Sequence, residues 1–204
     1  MYDFLIYDFD GTLSDSYPIF TDALLAMLKK YNLPQDRDVA YALLKQSVGA
    51  ALKHYEFPVS KQAAREEYYE IYEPIAVQHQ NPYPETEEIL RFALENGKKN
   101  YVYTHSGRWV SALLKRWEIS DCFDFVLDGT FNFPRKPAPD ALNFLTEKCG
   151  IDKSRALMIG DRDIDIDVAH AAGIDACLID VENFYPDTKA EYKITSLLDL
   201  KEII

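Results

Sequence analysis

The chain is short of positive charge. Its 204 residues carry 22 Lys and Arg against 34 Asp and Glu, a formal charge of -12. No basic surface is available for non-specific binding to nucleic acid or to an anionic membrane, so neither is expected as a partner. An anionic ligand must instead find a local positive pocket. Cysteine is scarce as well. Cys122, Cys149 and Cys177 are odd in number, widely spaced and free of any CxxC pair, which excludes a disulfide framework or a zinc-ligand pair and fits reduced thiols in a cytoplasmic protein. No signal peptide or spanning helix is expected either, because Asp3 stands in an N-terminus that already reads as a strand. Internal repeats and low-complexity tracts are also absent. What is present, 48% hydrophobic and 13% aromatic residues at this length, suits a core domain plus a modest accessory domain.

The pattern changes twice along the chain. An apolar run, Phe4-Leu5-Ile6-Tyr7, opens it as a strand. Between about Pro18 and Gln80 the apolar spacing is helical, as in Ile19 to Leu28 and Ala63 to Ile75, and no strand pattern interrupts it. From Tyr83 onward short apolar runs at 100–103, 123–127, 156–159 and 176–179 alternate with amphipathic helices near 85–96, 107–117, 138–148 and 163–172. Strand and helix in alternation predict an α/β parallel sheet covered on both faces. The helical stretch then becomes an insert after the first strand, a separate lobe over the carboxyl ends of the strands, where open α/β sheets bind ligands. The expected division is residues 1–15 and 82–204 for the core and 16–81 for the helical insert, with joints at Ser14 to Tyr17 and at Asn81-Pro82-Tyr83-Pro84.

Each strand end carries polar residues. After the first come Asp8-Phe9-Asp10-Gly11-Thr12-Leu13; residues two apart in extended chain share a side, so Asp8 and Asp10 can face one point. Two anions so close require a cation between them or a shared proton, and the pair predicts a metal. An Asp-Gly step is also common in plain turns and Asp is a good N-cap, so the other strand ends must decide. The second offers Thr104-His105-Ser106-Gly107-Arg108 before a helix, suited to an anion or to simple capping by Thr104 or Ser106. The third leads to Arg135-Lys136-Pro137 at the start of a helix, where a lysine is unfavourable unless an anion is shared, although a solvated surface pair is the common alternative. The fourth ends in Gly160-Asp161-Arg162-Asp163-Ile164-Asp165-Ile166-Asp167. Asp161 and Asp165 are four apart and can share a face, while Asp163 and Asp167 serve a first helical turn equally well. Oxygen donors without nitrogen or sulfur select a hard ion such as Mg²⁺.

These residues resemble the haloacid dehalogenase superfamily, specifically its phosphatases with a helical cap after the first strand, the phosphoglycolate phosphatase-like group. Asp8-Phe9-Asp10-Gly11-Thr12-Leu13 fits the first motif, Thr104 the second, Lys136 before Pro137 the third, and Gly160-Asp161 with Asp165 the fourth. Tyr83-Pro84 resembles the return from cap to core. The resemblance implies a Rossmann-like core with a small all-helical cap, and a Mg²⁺-dependent phosphomonoesterase acting on a small phosphorylated metabolite. Asp8 would attack phosphorus to form an aspartyl-phosphate, and Asp10 would protonate the leaving oxygen and later activate water. Asp8, the Asp10 carbonyl and Asp161 would hold the metal, with Asp165 direct or through water. Thr104 and Lys136 would clamp the phosphoryl oxygens, and Phe9, His105 and Gly49 would join them in binding substrate. Gly49 is included because Lys45 to Gly49 resembles the loop by which related caps reach the substrate. His105 stands where many relatives have Asn, and Arg162 where a smaller residue is common. Asp10 disfavours dehalogenase chemistry, which lacks that carboxylate. A β-phosphoglucomutase-like sugar-phosphate mutase would keep every core residue, and a non-catalytic binding protein on the same fold is the alternative of a different class. The substrate and the oligomeric state are not written in the sequence.

Overall fold

A computed structural model describes the chain over residues 1–204. Along it run β1 (Phe4–Tyr7), the short β2 (Ser14–Asp15), four helices, α1 (Tyr17–Lys30), α2 (Arg37–Gln46), α3 (Val48–His54) and α4 (Lys61–His79), and the short β3 (Asn81–Pro82). There follow α5 (Thr86–Glu95), β4 (Lys99–Tyr103), α6 (Trp109–Arg116), β5 (Phe123–Leu127), α7 (Asp140–Cys149), β6 (Ala156–Gly160), α8 (Asp163–Ala172), β7 (Asp175–Ile179), β8 (Tyr192–Ile194) and a closing 3-10 turn at Leu197–Glu202. Two compact units result, Met1–Ser14 with Pro82–Ile204, and Asp15–Asn81. Asp15, expected in the first, falls in the second.

The first unit is an α/β layer structure on a six-stranded sheet of order β5-β4-β1-β6-β7-β8, and the pairings are parallel. Both faces of the sheet are covered, so the central strands β1 and β6 are apolar on both sides. Leu5 and Tyr7 of β1 pack with Ile89, Leu113 and Leu197 on one face, while Ile6 packs with Leu142 and Ile166 on the other. Tyr7 lies opposite Val102 of β4 and Ile159 of β6. β4 and β6 run one residue beyond β1, so the residues that follow the three strands emerge close together at the point where the strand order reverses. The edge strand β8 had no signature in the sequence, since only Ile194 of its three residues is buried.

The second unit is helical, as its spacing predicted. Each of three helices starts at a short polar side chain that takes up free N–H groups of its first turn. Asp36 accepts from Asp38 and Val39 at the head of α2, Ser47 from Ala50 at α3, and Ser60 from Ala63 at α4. Tyr68 and Tyr72 are fully buried in it; the Tyr68 hydroxyl donates to the Phe20 carbonyl and that of Tyr72 to Gln80. They are packing residues of this unit. Gly49 is not in a loop. Ser47 alone separates α2 from α3, in extended conformation, and Gly49 is the second residue of α3.

No helix of the chain is long and apolar enough to cross a membrane. The three cysteines are free, Cys122 and Cys177 buried and Cys149 half-buried.

Candidate active site

β1 ends because its last main-chain partner is spent and a turn follows. The Asp8 N–H donates to the Ile159 carbonyl at 2.8 Å, and the Phe9 carbonyl then accepts the N–H groups of Leu13 and Ser14 at 3.0 and 2.9 Å. Gly11 allows this reversal by taking φ 80°, a conformation without steric cost only for glycine. Phe9 itself is buried and stacked on Trp117 with ring centroids 5.4 Å apart. Its side chain belongs to the core.

The turn leaves Asp8 buried and Asp10 half-buried beyond the end of β1. Asp8 Oδ1 accepts from the Lys136 ammonium at 2.9 Å. Asp8 Oδ2 is buried without a hydrogen-bond partner, with Arg162 Nη2 at 3.9 Å. The Asp10 carboxylate accepts a short hydrogen bond from the Ser106 hydroxyl. Ser106 was read from sequence only as a possible cap. Its signal lay in the spacing, since Thr104 and Ser106 are two apart on one loop, as Asp8 and Asp10 are on theirs. Thr104 Oγ1 accepts the Ser106 N–H at 3.1 Å, which leaves its own proton to donate.

Lys136 is not at a helix terminus. The helix α7 starts at Asp140, behind Pro139, and the Arg135-Lys136 pair divides, Arg135 exposed and Lys136 only 4% exposed. Its ammonium also donates to Asp165 Oδ1 at 2.7 Å and to the Tyr103 carbonyl at 3.1 Å, and stands 4.4 Å from the centre of the Tyr103 ring. Burial works against the charge, but Asp165 and Asp8 outweigh it and hold the ammonium above the ordinary lysine range. The anion that the sequence required is a pair of carboxylates of the protein itself.

Asp165 sits in the first turn of α8, fully buried. Its second oxygen accepts the Arg162 N–H at 3.2 Å, so both oxygens are engaged. Gly160 makes room for it, because a Cβ there would overlap the Asp165 side chain. Asp161, the residue after β6, is 3% exposed. One oxygen each from Asp8, Asp161 and Asp165 fall within 4.8 Å of one another. The Asp10 side chain is not in that group. Asp163 and Asp167 are exposed, as suits helix-turn residues. Arg162, rather than facing solvent, reaches back to within 3.9 Å of both Asp8 and Asp161.

His105 is half-buried and does not face outward. Its Nε2 accepts the main-chain N–H of Lys136 at 2.9 Å. Burial first, then the charges of Lys136, Arg135 and Arg162, push its pKa down to about 3, so the imidazole is neutral near pH 7 and carries its proton on Nδ1. A cavity of about 230 Å³ lies alongside, lined by Thr104, His105, Asp128, Asn132 and Arg135 among others. Gly49 belongs to the helical unit.

A buried cation set among carboxylates, at the switch point of a parallel sheet, marks an α/β enzyme that acts from the carboxyl ends of its strands. Residues 5–179 match the family model of haloacid dehalogenase-like hydrolases. A phosphoglycolate phosphatase of Neisseria gonorrhoeae is 31% identical over 180 residues, which cover 82% of this chain and 75% of that protein. Among solved structures, a hydrolase from Streptococcus pneumoniae is 28% identical with a TM-score of 0.68, over 99% of this chain and 97% of that one. A second, a haloacid dehalogenase-like family protein of Streptococcus pneumoniae, is 17% identical with a TM-score of 0.85 over 99% and 98%, and shares the fold. The chain belongs to the haloacid dehalogenase-like hydrolases. Within that family it is a phosphatase.

Proposed function

We propose that this phosphatase is a Mg²⁺-dependent phosphomonoesterase that hydrolyses a small phosphorylated metabolite, of the phosphoglycolate type, through an aspartyl-phosphate on Asp8. The observation that carries the reading is the division of labour on the Asp8 carboxylate: one oxygen is held by Lys136 at 2.9 Å and the other is buried with no hydrogen-bond partner. A buried carboxylate oxygen left so is costly unless a cation completes it. The nearby Asp161 and Asp165 and the all-oxygen donor set fit a hard divalent ion. Asp8 and Asp161 are the carboxylates assigned to hold Mg²⁺, with the Asp10 main-chain carbonyl. Asp165, whose oxygens are engaged by Lys136 and the Arg162 N–H, is assigned chiefly to fixing the lysine. When bound, the ion offsets the repulsion between an anionic nucleophile and a phosphate dianion.

The protein's own part runs in two displacements. Asp8 attacks phosphorus, and the alkoxide leaves with the proton of Asp10. The same carboxylate, now ionised, takes a proton from water as that water attacks the phosphorus of the aspartyl-phosphate, which frees inorganic phosphate and restores Asp8. Ser106, hydrogen-bonded to Asp10, keeps the carboxyl on the leaving-group side. The Thr104 hydroxyl and the Lys136 ammonium take the charge that spreads over the equatorial oxygens. The helical unit Asp15–Asn81 is assigned the role of a substrate-selecting cap, with Gly49 and its neighbours in α3 as its contribution. Free cysteines and the charge of -12 support a cytoplasmic setting and a metabolite, rather than a nucleic acid or membrane, as partner.

The test is phosphate release from a panel of phosphorylated metabolites and an aryl phosphate, with Mg²⁺ and with chelator, beside Asp8→Asn. Release that needs Mg²⁺ and falls by several powers of ten in the variant is expected, because no other group replaces the nucleophile. Steady release by Asp8→Asn would overturn the nucleophile assignment. An isomeric sugar phosphate in place of inorganic phosphate would identify a mutase.

A further inference from the structure

Lysine is a long tether, and a buried ammonium held only at its tip still depends on where the main chain starts. Three groups hold the tip of Lys136, namely Asp8, Asp165 and the Tyr103 carbonyl. The other end lies in the segment between β5 and α7, which borders the 230 Å³ cavity, so packing is missing on that side. There the Lys136 N–H donates to His105 Nε2 at 2.9 Å. The ring is braced in turn, edge-on to Tyr103 with centroids 6.1 Å apart, and Tyr103 is the residue whose ring and carbonyl the ammonium meets. Imidazole and ammonium are thus referred to one β4 residue from opposite ends of the same lysine.

We propose that His105 is a positioning residue for the phosphatase reaction: it fixes the main chain of Lys136 beside the cavity and through it the ammonium at Asp8. The bond needs an acceptor at the Nε2 position, four bonds out from the Cα. Glutamine can place its amide oxygen there and asparagine, one methylene shorter, cannot. The kinetic consequence rests on the phosphoryl-transfer reading above, whereas the bond itself does not.

The experiment compares the wild type with His105→Gln and His105→Asn. Amide exchange at Lys136, read by NMR, is expected to stay protected in the wild type and in His105→Gln and to quicken about tenfold or more in His105→Asn, as a local opening would allow. With an aryl phosphate, kcat is expected to fall on the order of 10- to 100-fold in His105→Asn, as for a misplaced catalytic group, while KM moves less and His105→Gln stays within about threefold. Melting temperatures report whether both variants are folded. Unchanged exchange at Lys136 in His105→Asn would overturn the proposal, and so would a kcat loss in His105→Gln as deep as in His105→Asn, which would point to the imidazole acting on substrate. If the wild type releases no phosphate from any compound, the functional reading has failed, and the exchange pattern still decides the bond.

Discussion

Replacing Lys136 by methionine keeps the reach of the side chain and removes its charge. In the wild type the ammonium lies 2.9 Å from Asp8 and 2.7 Å from Asp165, and Asp8, Lys136 and Asp165 are 2%, 4% and 0% exposed. Deleting one partner of a buried ionic cluster leaves uncompensated charge, at a cost of about 3–5 kcal/mol. For a chain of this size each kcal/mol moves Tm by roughly 2–4 °C, so a fall of about 6–20 °C is expected. Both tryptophans, Trp109 and Trp117, lie in the sheet-bearing unit, so their fluorescence follows the unfolding of the part that matters. The double variant Lys136→Met with Asp165→Asn should recover about 1–3 kcal/mol of that loss, because the second change removes one of the two stranded charges. Measured without divalent metal, a Tm within about 2 °C of wild type for Lys136→Met would refute the reasoning, since that is less than one kcal/mol. Strict additivity of the two substitutions would refute the coupling.

His105 gives a pH prediction. Its folded pKa of about 3 lies below the ordinary 6.5, so between those values the unfolded chain binds a proton that the folded chain refuses. Stability from this group is complete above pH 6.5 and is lost as pH falls toward 3, by at most about 1.4 kcal/mol per pH unit; urea titrations from pH 7.5 to 4.5 should show a shallower slope in His105→Gln, and equal slopes would contradict the burial argument. Gly160→Ala should cost about 1–3 kcal/mol, since its Cβ would overlap Asp165 and force the carboxylate off Lys136; a variant with unchanged Tm and kcat would show that the crowding is relieved elsewhere. Ser106→Ala removes the hydrogen bond that holds the Asp10 carboxyl in place. Its kcat should therefore fall on the order of tenfold or more for alkyl phosphates and less for aryl ones, whose leaving group needs little protonation; equal losses would detach Ser106 from the acid step.

The amino-acid sequence by itself determined the alternation of apolar runs and helices, and hence the sheet, because the central strands β1 and β6 are buried on both faces and leave an uninterrupted apolar signature. It also determined which strand ends carry carboxylates and a hydroxyl, since those residues follow the strands within a few positions, and that a lysine lies on the longer connection after β5. Short polar-edged β8 escaped, having one buried residue to betray it. Only the tertiary structure decided what each polar group faces. Phe9 turned into the core, Gly49 entered a helix, and His105 turned to a main-chain N–H contributed from 31 positions away. Lys136 found its anions in residues 128 and 29 positions distant. Local spacing cannot specify such partners. They meet because β1 lies between β4 and β6 in the sheet, an order fixed by packing over the whole chain.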